Sequence, residues 1–185
     1  MISDARKAIF DAAHPVFFDA NVWLSIYAPP SKEDEYWKGE YTKVLNRIVN
    51  GSVPVFLDST VISEYINRYC RIEFEAYMGI ASKKTFKQFR DSEPDIYQPI
   101  ASDAAESVKE ILELPLVTRI NGDFAAMNIC SILDEFAQGE SDWNDQLIVD
   151  LCRRNACALL TNDADFKDAS INILTCNSRL LGYVK

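Results

Sequence analysis

The chain has 185 residues, of which 48% are hydrophobic and 25% are charged, a balance that suits one compact globular domain. No apolar run reaches the roughly 18 residues needed to cross a bilayer, and the N-terminus lacks the apolar stretch of a signal peptide, so we expect a cytoplasmic protein without a membrane partner. The formal net charge of -9 argues against a protein that holds nucleic acid through a generally basic surface.

Five short apolar runs predict strands that are buried on both faces of a parallel sheet. In chain order they span residues 16–19, 53–58, 116–118, 158–161 and 171–175. Five stretches with helical spacing alternate with these runs, at about 36–50, 59–79, 99–113, 123–136 and 142–155. This alternation predicts an α/β fold in which helices flank a central, mainly parallel sheet. Because no repeat or linker divides the chain, we expect a single domain over residues 1–185.

The segment from about residue 71 to residue 113 is longer than a single crossover requires, and it shows only helical spacing. This segment predicts a helical lobe over the C-terminal edge of the sheet. In open α/β sheets the same edge is where ligands bind. Functional side chains are therefore expected where the strands end.

Acidic residues follow the first two predicted strands. Asp19 comes directly after the first apolar run, and Glu64 lies about one turn into the helix that follows the second strand. Asp19 alone is explained equally well as the cap of a helix that starts near Asn21. Glu64 alone is explained as an ordinary solvated helix residue.

Further acidic residues open the last long helix and follow the fourth strand. Ser141 is expected to cap this helix, which places Asp145 in its first turn, at the edge of its apolar face. Asp142, three residues before Asp145, is best explained as a first-turn residue that complements the helix dipole. Asp163 and Asp165 follow the fourth strand directly.

Carboxylates that gather at one edge of a sheet repel one another unless cations neutralise them. Four acids are expected to gather in this way. They are Asp19, Glu64, Asp145 and Asp163. Hard oxygen ligands of this kind suit Mg²⁺ or Mn²⁺. Zinc is not expected, because the five cysteines form no CxxC pair, and the single histidine, His14, excludes a two-histidine nuclease mechanism.

Four short motifs resemble those of the PIN domain family and occur in the family's order. They read Phe18-Asp19-Ala-Asn21-Val-Trp-Leu24, Val61-Ile-Ser-Glu64-Tyr-Ile, Asn144-Asp145-Gln-Leu-Ile-Val and Leu160-Thr161-Asn-Asp163-Ala-Asp165-Phe. The first resembles the family's opening motif, the second its acidic helix, the third its D-x-x-I helix and the fourth its T-x-D-x-D-F ending. The resemblance runs from about residue 16 to residue 174.

The resemblance implies a single PIN-like domain and metal-dependent cleavage of RNA. The catalytic and metal-binding acids that it implies are Asp19, Glu64, Asp145 and Asp163. It also implies Asn21 and Thr161 as supporting residues that orient those acids or contact the substrate. Two further supporting candidates are Asp142, which could project beside Asp145, and Asp165. Many PIN proteins resemble VapC-like toxins, which a small antitoxin protein holds inactive and which often form homodimers. Such toxins tend to be shorter, and the segment 71–113 of this chain is long, so the resemblance leaves open whether this chain is a toxin.

A group of basic residues at three- and four-residue spacing is a candidate RNA-binding surface. The group consists of Lys83, Lys84, Lys87 and Arg90, which would share one helix face. Phe86 and Phe89 would anchor the opposite face of that helix. Such a surface would reconcile RNA binding with the negative net charge, although an ordinary solvated helix face explains the same spacing.

Two other functions stay open at this point. A haloacid-dehalogenase-like phosphatase also places an Asp after its first strand, but it needs a second Asp where this chain has Asn21. The chain also lacks that family's clear downstream Lys motif. A PIN-like scaffold would bind RNA or a protein without cutting, although inactive members are expected to have lost acids that this chain retains.

Overall fold

A parallel β-sheet is the centre of the structure, a computed structural model that describes residues 1–79, 84–139 and 142–183. Its strands are β1 (Ile2–Asp4), β2 (Val16–Phe18), β3 (Val55–Leu57), β4 (Val117–Arg119), β5 (Ala158–Leu160) and β6 (Ile173–Thr175). They lie in the order β1-β6-β5-β2-β3-β4, and each neighbouring pair is parallel. The predicted α/β fold class is confirmed.

All five predicted strands form; four have tighter bounds, and the strand expected at 116–118 lies one residue later, as β4. β1 is an additional strand that the sequence analysis did not predict. β1 is three residues long, contains the polar Ser3 and Asp4, and is only partly buried at the edge of the sheet. Its register with β6 places Ile2 opposite Ile173. A short, polar edge strand of this kind has none of the continuous apolar character that marks the inner strands.

β2 and β5 lie side by side in the middle of the sheet, and their residues are almost completely buried. Val16, Phe17 and Phe18 are at most 2% exposed, and Leu159 and Leu160 are fully buried. Burial on both faces of the sheet explains why these strands read as continuous apolar runs. Because Phe18 pairs with Leu160, the two strands end at the same level.

Helices connect and cover the strands. Among the described residues they are α1 (Ala20–Ile26), α2 (Glu35–Asn50), α3 (Ser59–Met78), α4 (Phe86–Ser92), α5 (Pro94–Glu113), α6 (Ile129–Ala137), α7 (Trp143–Arg154) and α8 (Ser178–Leu181). Short 3₁₀ turns are formed by Pro30–Lys32, Phe124–Ala126 and Ala164–Asp168. Trp23 packs on Phe18 with ring centroids 4.7 Å apart, so α1 is held against the end of β2.

Two predicted helices have different bounds in the structure. The helix expected at 123–136 is divided, because a 3₁₀ turn comes first and α6 begins only at Ile129. The helix expected from about residue 99 already starts at Pro94, where proline fits because the first turn requires no backbone N–H. In the described part of the chain no helix is long and apolar enough to cross a membrane.

The described residues of the segment 71–113 form helices, as predicted. α3 leaves the C-terminal end of β3, and α5 runs antiparallel to α3, since Tyr65 approaches Ser107 while Cys70 approaches Tyr97. A cluster of aromatic rings joins α3, α4 and α5, with centroids 5.1 to 6.5 Å apart; its members include Phe74, Phe86, Phe89 and Tyr97. Phe86 and Phe89 therefore anchor α4 inward, as predicted.

Candidate functional site

The ends of β2 and β5 bring the first candidate residues together. Asp19 follows β2, Thr161 follows β5, and the Asp19 N–H donates to the carbonyl of Leu160 at 3.0 Å. Because the two parallel strands are neighbours and end at the same level, residues far apart in the chain meet at the C-terminal edge of the sheet. This is the edge at which the sequence analysis expected the site.

Of the four predicted acids, Asp19 is the one that is fully buried, with 4% of its surface exposed. Its Oδ2 accepts hydrogen bonds from Thr161 Oγ1 at 2.7 Å and from Asn21 Nδ2 at 2.5 Å. Asp19 occupies the position before α1, but its carboxylate makes no capping hydrogen bond to the helix. The side chain therefore binds Thr161 and Asn21, two of the predicted supporting residues.

The environment of Asp19 disfavours its negative charge. Burial raises the pKa of Asp19 from 3.8 to about 6; the hydrogen bond from Thr161 opposes this shift, and the charges of Glu64 and Asp163 add to it. A carboxylate that keeps its charge at neutral pH under these conditions is a strong candidate for binding a cation.

Asp145, in the first turn of α7, has an even more strongly raised pKa. Burial is again the largest cause, and the charge of Asp142, followed by those of Asp19, Asp163 and Glu64, helps to raise the pKa of Asp145 to about 7. The four predicted acids are thus close enough for their charges to disturb one another. α7 and the sheet edge bring them to one region of the molecule.

Glu64 and Asp163 have local partners. Glu64, on α3, pairs with Arg68 one turn further along the helix at 3.1 Å. Asp163 precedes the 3₁₀ turn, where its carboxylate accepts from the N–H of Asp165 at 2.9 Å, while its own N–H donates to Thr161 Oγ1 at 2.9 Å. Within residues 1–79, 84–139 and 142–183, no three acidic, histidine or cysteine side chains are yet arranged around a single metal position.

The donor set fits a hard divalent cation. The acids offer only oxygen ligands. Burial and, after it, the charges of the neighbouring acids raise the pKa values of Asp19 and Asp145, so their ionised forms are incompletely compensated. A cation of this kind would remove that repulsion, and Mg²⁺ and Mn²⁺ prefer carboxylate oxygens. The carboxylates of Glu64 and Asp163 make exposed contacts, with Arg68 and with the N–H of Asp165, that a metal ion could replace.

Three polar residues that the sequence analysis did not single out support the loop after β5. The N–H of Asn162 donates to Asn21 Oδ1 at 2.9 Å, and its side-chain oxygen accepts from the hydroxyl of Tyr41 at 3.0 Å. Asn177 donates to the carbonyl of Asn162 at 2.7 Å. Asn162 lies inside the fourth motif and Tyr41 inside the helix expected at 36–50, whereas Asn177 lies beyond the last predicted strand.

The two further acids predicted as supporting residues, Asp142 and Asp165, take part in backbone hydrogen bonds near the site. Asp142 caps α7, because its carboxylate accepts from the N–H of Asp145 at 2.9 Å. The expected cap, Ser141, lies outside the described residues. Asp165 is exposed, and its N–H, rather than its carboxylate, contacts Asp163.

The predicted basic surface does not lie on one helix face. α4 begins at Phe86 after the cap residue Thr85, so Lys84 precedes the helix, where it pairs with Glu93 at 2.7 Å. Lys83 lies outside the described residues. Lys87 and Arg90 are exposed and, at three-residue spacing, do share one side of α4.

Comparisons with known proteins identify the family. The model of the PIN domain matches residues 16–172, which is most of the chain. Among solved structures, the chain is similar to one from the crystal structure of VapBC2 from Rickettsia felis bound to a DNA fragment from their promoter. That match has a TM-score of 0.56 and 15% sequence identity, and it covers 86% of this chain and 96% of the other. No curated protein sequence gives a significant match. The order of the motifs, the parallel sheet and the extent of the family match together show that this chain belongs to the PIN domain family.

Proposed function

We propose that this protein is a Mg²⁺- or Mn²⁺-dependent endoribonuclease that hydrolyses phosphodiester bonds of RNA. The proposal is carried by the convergence of four acids at the C-terminal edge of the sheet. They are Asp19, Glu64, Asp145 and Asp163. Membership of the PIN family supports it, since members are typically nucleases. The same membership removes the ground for a haloacid-dehalogenase-like phosphatase.

The acids differ in the part that each would take. Asp19 is the best candidate for direct metal ligation, because one of its oxygens is held by two donors and its position is fixed. Asp145 would be a second ligand or would position the attacking water. Glu64 and Asp163 would add negative charge that attracts the cation, and would act through water bound to it. When bound, the cation supplies Lewis acidity that activates water and stabilises the leaving oxygen.

The surrounding residues orient the acids. Thr161 and Asn21 hold Asp19, and the backbone of Asn162 holds Asn21 in turn. The N–H of Asp163 and the carboxylate of Asp19 share the hydroxyl of Thr161, so this hydroxyl links two of the acids. An ordered link of this kind keeps ligands in place before the metal binds.

The biological setting that we propose is that of a toxin, which a small antitoxin partner holds inactive and which forms a homodimer. The likeness to a chain of VapBC2 supports the antitoxin partner. Expression of the free protein in a bacterial host is then expected to arrest growth, and Asp19→Asn is expected to relieve the arrest at the same protein level. Growth curves with quantified expression check this. Equal growth of cells that carry an RNA-cutting wild-type protein and cells with the empty vector would contradict the toxin role.

The first test of the activity is cleavage of a mixed RNA pool by protein purified free of partners. Wild-type protein is expected to cut with Mg²⁺ or Mn²⁺ and to stop with EDTA. Asp19→Asn is expected to lower the rate by at least about 100-fold, because it weakens a metal ligand whose electrostatic effect is worth several kcal/mol. Asp11→Asn, the same change at an exposed carboxylate, is the matched control. Metal-independent cutting, or full activity of Asp19→Asn, would refute the assignment.

Thr161→Val tests how far the hydroxyl link positions Asp19. Valine keeps the shape of threonine but removes the hydroxyl's hydrogen bonds with Asp19, Asn21 and Asp163. We therefore expect affinity for Mn²⁺ and the cleavage rate to fall about 10- to 100-fold. Thr161→Ser, which keeps the hydroxyl, should restore most of both. Calorimetric titration with Mn²⁺ separates this effect from simple destabilisation; unchanged Mn²⁺ affinity in the valine variant would show that the link does not position a metal ligand.

Asp145→Asn tests the electrostatic cost of the cluster. The folded pKa of about 7 lies above the ordinary value of 3.8. The folded state therefore binds the extra proton, and this group's contribution to stability falls as pH rises from about 4 to about 7. At pH 8 without metal, Asp145→Asn should be more stable than wild type by about 1 kcal/mol, after screening by water is allowed for.

Chemical unfolding at pH 5 and pH 8 measures the difference in free energy of unfolding between Asp145→Asn and wild type. Mn²⁺ should narrow this difference, because it stabilises wild type more than the variant. Asp11→Asn is again the control. A variant that is less stable than wild type at pH 8 would mean that Asp145 is compensated by a partner in solution.

A further inference from the structure

A cavity of about 640 Å³ opens directly beside Asp145. One wall is α7, and the other is formed by the 3₁₀ turn Ala164–Asp168 and the residues after it. The residues that matter here are Asp145, Val149 and Arg153 on α7, and Asp165, Lys167 and Ser170 on the opposite wall. We call this cavity the α7 groove.

Both walls of the α7 groove begin at acids of the candidate site. Asp145 lies in the first turn of α7, and Asp163 is the cap residue of the 3₁₀ turn. Asp145, Val149 and Arg153 recur every four residues and therefore lie along one side of α7. Arg153 is eight residues beyond Asp145, or about 12 Å along the helix axis. The groove thus leads from the acids towards a guanidinium group.

Arg153 is available to bind an anion. It is exposed and donates from Nη2 to Ser170 Oγ at 2.6 Å, which holds the side chain across the groove. No carboxylate of the described chain lies within ion-pair distance of it, whereas the next residue, Arg154, is paired with Asp150 at 2.7 Å. A guanidinium group has five N–H donors, so the bond to Ser170 leaves most of them for a phosphate.

The charge along the groove suits a polyanion better than the average surface of this chain does. Apart from Asp145, which belongs to the candidate metal site, the charged residues among the described lining are two cations, Arg153 and Lys167, and two carboxylates, Glu135 and Asp165. The whole chain instead carries 28 acidic against 19 basic residues. Apart from Asp145, a strand in the groove therefore meets as many cations as carboxylates among the described residues, whereas the chain as a whole has an excess of acids.

We propose that the α7 groove holds the RNA strand on one side of the cleaved bond and that Arg153 binds the phosphate of a neighbouring nucleotide. This rests on the proposed ribonuclease function and specifies how its substrate is held. The contact is to the backbone, so it positions RNA without reading sequence. It also assigns strand binding to α7, not to the basic residues around α4.

Binding is measured in EDTA, where the chain is not expected to cut, by anisotropy of a short fluorescein-labelled single-stranded RNA over a range of salt concentrations. Arg153→Gln should weaken binding about tenfold, the value of one charge-assisted hydrogen bond. It should also reduce the salt slope by about 0.7, the value for one phosphate contact on a single strand. Arg153→Lys should keep the slope and recover part of the affinity.

Cleavage with Mn²⁺ gives the second readout: Arg153→Gln should raise KM and leave kcat nearly unchanged, because the contact is the same in the bound substrate and the transition state. Arg119→Gln removes the same charge from the exposed end of β4, an edge strand separated from β5 by β2 and β3, and should change neither quantity. Thermal unfolding of each variant confirms that it is folded.

The outcomes separate the groove from the proposed function. If wild type cuts RNA and Arg153→Gln has an unchanged KM, the ribonuclease function is supported and the proposed role of the α7 groove is refuted. A loss of affinity in Arg90→Gln but not in Arg153→Gln would overturn it too and move the strand to α4. RNA binding that depends on Arg153, without cutting in either metal, would support the groove and refute the ribonuclease. A wild type that neither binds nor cuts RNA would refute both.

Discussion

The buried carboxylate of Asp19 imposes the main constraint on this structure. An ionised group away from water costs several kcal/mol unless donors compensate it, and here the donors are Thr161 and Asn21. Thr161 can reach Asp19 only if β2 and β5 are neighbours that end at the same level, which is the observed register. The chain between these strands, which includes α1 to α7, must therefore leave the centre of the sheet and return to it.

This requirement divides the acids into two pairs with different supports. Asp19 and Asp163 are joined through the hydroxyl of Thr161 at the edge of the sheet, where strand pairing fixes the backbone. Glu64 and Asp145 project from α3 and α7, so their distances from the first pair depend on how these helices pack. Adjustment to the size of an ion is thus expected mainly at the helices, while the sheet edge keeps its shape.

Much of the fold could be predicted from the sequence, because the buried strands carry an unmistakable apolar signal. The runs that became β2 and β5 are buried on both faces, so every residue in them is apolar. β1 escaped prediction because an edge strand needs few apolar residues. The division of the helix expected at 123–136 escaped as well, since periodicity alone does not distinguish a 3₁₀ turn from the start of a helix.

The acids of the site were predictable from where they stand relative to the strands, but their partners were not. Tyr41 reaches the site from α2 to hold Asn162, a contact between residues 121 positions apart that no local pattern records. The basic residues near α4 show the opposite case, in which regular spacing suggested one surface although Lys84 lies before the helix and pairs with Glu93. The contact between Arg153 and Ser170 arises from tertiary packing, so no pattern in the sequence indicates it.

The donors that hold Asp19 are a hydroxyl and an amide, and neither carries a charge. An arginine or lysine in their place would hold the carboxylate as firmly, but it would also cancel the field that attracts a cation. Neutral donors separate the two tasks: they determine where the oxygen atoms are and leave the electrostatic potential in place. In the free protein the acids therefore repel one another, and folding alone does not relieve this repulsion. When an ion binds, the loss of the repulsion contributes to the free energy of binding.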